Sequence, residues 1–126
     1  MVMAYPTTAA YSMSSIRAAV LLLAAVSGVA EARGVACPAS SSGKPLSFIT
    51  VFDGPPSENA SLVPDTTRRV KGGQVSLWHV RGVYKAGRIV YLHCEYGTVN
   101  LIVVPVNQAK ICWYTERGRG KSLLCQ

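Results

Sequence analysis

Three carboxylates fall within one short stretch, residues 51–65, which reads VFDGPPSENASLVPD. Asp53, Glu58 and Asp65 are the side chains best suited to acid–base chemistry, and paired carboxylates of this kind cleave glycosidic bonds. Their spacing fixes no separation between them, and no partner motif accompanies them. The stretch also serves structure. Asp53-Gly54 turns the chain sharply after a strand. Pro55-Pro56 fixes two φ angles and removes two donors, so the strand must end there. Ser57 is placed to cap a short helical turn through Leu62, which Pro64 would end. Leu62 and Val63 would then tuck against the sheet. The stretch therefore reads as a rigid corner that displays a binding loop, with catalysis as the alternative.

Other reactive residue types give weaker patterns. His79 and His93 sit in separate strand-like runs and could join Glu95 or Asp53 around a metal only if those strands were neighbours. The plainer reading is partly exposed strand histidines. No Gly-x-Ser-x-Gly elbow and no phosphate-binding glycine loop occurs. No catalytic residue, cofactor or metal is implied. Basic residues are the other lead. Arg68, Arg69 and Lys71 form one cluster, and Arg117, Arg119 and Lys121 alternate across another, close in sequence to Trp113 and Tyr114. Such a patch suits an acidic protein or an anionic polymer.

The elements that must hold these residues are strands. Runs at 46–52, 74–80, 88–96, 98–106, 110–116 and 122–126 are rich in β-branched and aromatic residues and are separated by glycine or proline. Short strands at this spacing predict a mainly β fold, a small antiparallel sandwich or barrel-like meander. Val90, Leu92, Cys94 and Tyr96 share one face of their strand and are core candidates. Val99, Leu101 and Val103 share a face of the next strand and are assigned to the core with them. Ile102 and Val104 on its other face suggest burial on both sides.

The cysteines Cys37, Cys94, Cys112 and Cys125 lack Cys-x-x-Cys spacing, so disulfides are expected and not zinc. The last hairpin decides the pairing. Centred between Gly118 and Arg119, with a type II′ turn, it sets Cys112 opposite Cys125 and Tyr114 opposite Leu123 on one face. That leaves Cys37 for Cys94, which would pin the start of the domain to a central strand.

Oxidised cysteines fit the N-terminal pattern. Arg17, the apolar run from Ala18 to Ala30, and Ala30-Glu31-Ala32 form the three parts of a secretory signal peptide, with cleavage after Ala32. Met13 directly precedes this pattern and is a second candidate start. The expected organisation is a signal peptide at 1–32 and one exported domain at 33–126. Cleavage removes one base, Arg17, and one acid, Glu31, and leaves the net charge at +7. The Gly-Val-Ala-Cys run at 34–37 also resembles a lipid-attachment site, although the large apolar residue expected three before Cys37 is missing. Export excludes routine nucleic-acid binding, and no later segment is long enough for a membrane helix.

The ordered series Cys37-Pro38, VFDGPP at 51–56, SLVPD at 61–65, Cys94-Glu95-Tyr96-Gly97 and terminal Cys125 resembles a family of small exported bacterial proteins with no assigned activity. That resemblance implies a periplasmic or secreted location and brings no catalytic residues. In size and character the chain is also similar to exported lysozyme inhibitors and to immunity proteins against periplasmic toxins. The Ser-Gly-x-x-Tyr inhibitor loop is missing, because Leu46 stands where the tyrosine would be. The expected function is a non-enzymatic envelope binding module of inhibitor or immunity type, with a protein or polymer partner of acidic character. Its candidate contacts are Asp53, Glu58, Asp65, Arg117, Arg119 and Lys121. The alternatives are a small envelope hydrolase using the 53–65 carboxylates and a passive structural component of the envelope.

Overall fold

A computed structural model describes residues 34–98 and 100–126. The expected signal peptide and both candidate starts lie outside the described residues. Among the described residues, ten strands, one 3-10 turn and one short α-helix follow in order: β1 Val35–Ala36, β2 Ser40–Ser41, β3 Lys44–Pro45, β4 Phe48–Asp53, the 3-10 turn Pro56–Glu58, β5 Thr66–Val70, β6 Gly73–His79, α1 Arg81–Lys85, β7 Val90–Tyr96, β8 Asn100–Val106, β9 Ile111–Arg117 and β10 Gly120–Cys125. A five-stranded sheet runs β1-β10-β9-β6-β5, a three-stranded sheet runs β4-β7-β8, and β2 and β3 form a small ribbon. All pairings are antiparallel.

The two larger sheets bury a shared core. β7 alternates strictly, with Val90, Leu92, Cys94 and Tyr96 fully buried. Opposite them, the five-stranded sheet contributes Trp78, Cys112, Tyr114, Leu123 and Cys125. These inward residues lie in register rows, Trp78–Cys112–Cys125 and Ser76–Tyr114–Leu123. Side chains two apart along a strand share a face, so one register fixes the whole inner surface.

Both expected disulfides form, Cys37–Cys94 and Cys112–Cys125. They do different work. Cys112 and Cys125 face each other on neighbouring strands β9 and β10. Cys37 extends β1, donating its N–H to Leu123 O at 3.1 Å, while Cys94 lies in the centre of the other sheet. The Cys37–Cys94 bridge therefore ties sheet to sheet. It also engages the Cys37 sulfur, which a lipid anchor would need. The last hairpin has the expected register, Arg117 opposite Gly120. Gly118 has a φ of 55° and Arg119 does not share a positive φ, as a type II′ turn requires.

Three expectations are corrected. The core face of β8 is Ile102, Val104 and Val106, which pair with Cys94, Leu92 and Val90. Leu101 and Val103 point outward and are 49% and 42% exposed. Val99 lies outside the described residues. The short turn after β4 spans Pro56–Glu58 as a 3-10 helix, starts before the expected Ser57 and has no side-chain cap. It ends at Asn59 in the left-handed conformation, with φ 55°. Leu62 packs against the core as expected, but Val63 is 83% exposed.

Candidate functional site

The carboxylates of the 53–65 stretch are held by the fold. Asp53 ends β4 and Glu58 ends the 3-10 turn, and both reach one guanidinium, that of Arg88. Arg88 Nε donates to Asp53 Oδ1 at 2.8 Å, and its Nη2 donates to Asp53 O at 3.1 Å and to Glu58 Oε2. The hydrogen bond to Asp53, then that to Glu58, holds the Arg88 guanidinium above its usual range. Gly54 is required here for two reasons. Its φ is +81°, and a Cβ would overlap the Arg88 guanidinium. Asp65 is apart from this clamp and accepts the backbone N–H of His79. The sequence signalled the acids but not Arg88, whose place opposite Asp53 depends on the β4–β7 pairing.

The histidines sit on different sheets. His79 ends β6 in the five-stranded sheet. His93 lies on the outer face of β7, edge-on to Phe52 at a ring separation of 5.5 Å and 3.9 Å from Glu95. Among the described residues no group of three or more His, Cys, Asp or Glu side chains is placed to hold a metal.

The two basic clusters converge. β5 is an edge strand carrying Arg68 and Arg69, and its turn to β6 carries Lys71. The β9–β10 turn carries Arg117 and Arg119. Gly118 N–H donates to Gly72 O at 3.0 Å, which ties the two turns together. Beneath them β6 and β9 run so close that a Cβ on Gly73 would overlap the backbone oxygen of Glu116. A register row crosses four strands here, Arg69–Gln74–Glu116–Lys121, on the face turned toward the other sheet.

The distribution of partners is uneven. Among the described residues four of the five acidic side chains have a hydrogen-bond or ion-pair partner: Asp53 and Glu58 on Arg88, Asp65 on the His79 N–H, and Glu116 with Tyr114 and Lys121, while Glu95 lies 3.9 Å from His93. Arg68, Arg69, Lys71, Arg117 and Arg119 are exposed and have no described carboxylate within ion-pair distance. The negative charge is used within the fold and the positive charge is left outside.

Between this basic end and the loop after β4 lies a cleft of about 450 Å³. Trp78, Tyr114, Glu116 and Lys121 form one wall, Val63 stands on the lip, and Phe48 at the β4 edge faces outward in the row Phe48–Glu95–Leu101. Phe48 is 59% exposed. The Tyr114 hydroxyl donates to Glu116 Oε2 at 3.1 Å, and Lys121 Nζ is 3.9 Å from Glu116 Oε1. A larger hollow, about 620 Å³, lies at the opposite end beside α1 and is bordered by Gly34, where residues 1–33 join the described structure.

Burial, reinforced by the neighbouring Glu116, pushes the Tyr114 hydroxyl up to about 12. The folded state then holds the proton more tightly than the unfolded chain, whose tyrosine titrates near 10.0. Stability from this group is complete below pH ~10 and is lost as pH rises toward ~12. Urea unfolding of the protein and of Tyr114→Phe across this window is expected to show the steeper loss in the protein. Equal slopes would mean that Tyr114 titrates normally.

A rigid β sandwich with most of its acids paired internally and one end left basic is a binding module in form. The chain belongs to the Type VI secretion system Tli immunity protein family, whose model matches residues 39–125. That range runs from the β2–β3 ribbon to the last cysteine and takes in the clamp, the cleft and both basic turns. No curated protein and no solved structure matches the chain. The family fits a non-catalytic, immunity-like envelope protein, and immunity proteins bind a toxin effector. Two disulfides fit an oxidising compartment, and among the described residues no helix is long and apolar enough to cross a membrane.

Proposed function

We propose that the chain is exported to the periplasm, where it protects its own cell by binding a secreted toxin effector and blocking it without catalysis. The family match over residues 39–125 carries this reading. Three features support it. The signal-like segment at 1–32 would deliver the chain to an oxidising compartment. The disulfides would keep so small a domain folded there. The carboxylates of the 53–65 loop, which a hydrolase would need free, are engaged by Arg88 and by the His79 N–H.

Capture followed by rescue tests this. The tagged full chain, recovered oxidised, is expected to retain one stoichiometric protein from envelope and secreted extracts, and reduced bait should lose it. Exported alone into the periplasm of a heterologous host, that protein should be toxic. Co-export of the chain should restore growth. Growth inhibition that persists at a matched level of folded chain would refute the immunity reading. Rescue that survives Asp53→Asn would agree with binding, whereas rescue abolished in a folded variant that still retains the effector would favour the hydrolase alternative.

A further inference from the structure

We infer that the open, basic end of the sandwich is where the effector docks, and that it receives an acidic protein segment carrying an apolar side chain. The inference rests on the immunity reading above and adds the place of contact and its chemistry.

Charge argues first. Arg69, Lys71, Arg117 and Arg119 are exposed, without an ion-pair partner among the described residues, and brought to one end by the Gly118–Gly72 hydrogen bond. The one carboxylate among them, Glu116, is occupied by Tyr114 and Lys121. An acidic segment gains ion pairs here and displaces none. Arginine adds a planar fork of donors that matches a carboxylate.

Shape argues next. The row Arg69–Gln74–Glu116–Lys121 runs from the basic end into the wall of the cleft. Val63 on the lip is 83% exposed. It stands wet in the free chain, and covering apolar surface is favourable by about 25 cal/mol per Å². Gly73 holds β6 against β9 beneath the patch, so the cations sit on ordered backbone and little order must be created on binding. The outer face of the three-stranded sheet exposes Leu101 and Val103 as well, in the row Phe48–Glu95–Leu101 and beside His93, with no comparable group of free cations. Charge complementarity therefore favours the open end.

The probe is the effector protein recovered with the chain, titrated calorimetrically against full-length oxidised variants at about 50 and 300 mM salt, where Debye screening differs strongly. Arg69→Glu with Arg119→Glu is expected to weaken binding at least tenfold at low salt and to flatten its salt dependence. Val63→Ala should weaken it severalfold and leave the salt dependence unchanged. Leu101→Ala with Val103→Ala should change it less than twofold. Arg119→Gln keeps the turn without reversing charge and should give an intermediate loss if the double reversal fails to fold. Unchanged affinity in folded open-end variants, or a loss confined to the Leu101 and Val103 pair, overturns the docking surface and leaves the immunity reading standing. A protein that binds phosphatidylglycerol vesicles in place of the effector overturns both.

Discussion

Replacing Cys37 and Cys94 by serine is expected to cost about 4 kcal/mol of stability, from the entropy of closing a 57-residue separation in the unfolded chain. Removing Cys112–Cys125, with a separation of 13, should cost about 3 kcal/mol by the same reasoning. A domain of this size is stable by about 5–15 kcal/mol, so the first loss alone approaches the lower bound. It would lower the thermal midpoint by roughly 15–30 °C, at about 4–8 °C per kcal/mol. The two bridges also differ in place. Cys112–Cys125 joins strands that a six-pair ladder and a tight turn already hold in register. Cys37–Cys94 joins the two sheets and fixes β1, which pairs with β10 through two residues only. Loss of the inter-sheet bridge should therefore free the N-terminal segment as well as destabilise the whole. Calorimetry of both double-serine variants, with hydrogen exchange at Val35 and Ala36, measures both effects. If the Cys112–Cys125 variant proved the less stable, loop length would not govern what each bridge contributes.

The same hairpin shows what can be read from residues alone. Cys112 faces Cys125 because the turn needs a positive φ at its first central residue, and Gly118 supplies it. Once that register is set, Tyr114 and Leu123 follow with no further information. β8 shows where such reasoning fails. Its two faces are both apolar, Leu101 and Val103 against Ile102, Val104 and Val106, so alternation cannot choose between them. The register does, because Tyr96 pairs with Asn100 and leaves three residues between the strands. One residue fewer in that loop would have paired Cys94 with Leu101 and turned the strand over.

The site was legible in pieces. Both basic clusters stand out in composition, yet β5 does not read as a strand. TTRRV is polar because it is an edge strand, and only Val70 is even half-buried. Without β5, nothing in the sequence says that Lys71 and Arg119 share one end. The acids stood out too, but their counter-ion lies 35 residues from Asp53 and 30 from Glu58. A carboxylate's role depends on such partners, which is why the 53–65 stretch looked chemical in sequence and is held by Arg88 and the His79 N–H in space.

Trp78→Ala is expected to cost about 3–5 kcal/mol, the usual range for deleting a large buried aromatic. Trp78 is 5% exposed and lies in the inner row with Cys112 and Cys125. Its indole Nε1 also donates to Leu62 O at 3.1 Å. That bond matters beyond stability, because Leu62 precedes Val63 on the lip of the cleft. The segment is held from both sides: Leu62 N–H donates to Val51 O at 2.8 Å on one sheet, and Asp65 N–H donates to Leu77 O at 2.8 Å on the other. Trp78→Phe separates the two contributions. It keeps most of the apolar volume and removes the donor, so about 1 kcal/mol of stability should be lost. If the open end docks the effector, Trp78→Phe should also weaken binding, because Val63 loses its anchor while every exposed cation remains. Urea unfolding of both variants, with effector titration of Trp78→Phe, gives the comparison. A full loss of stability in Trp78→Phe would assign the effect to ring shape and not to the Leu62 hydrogen bond. Undiminished affinity in that variant would show that the lip does not depend on the indole for its position.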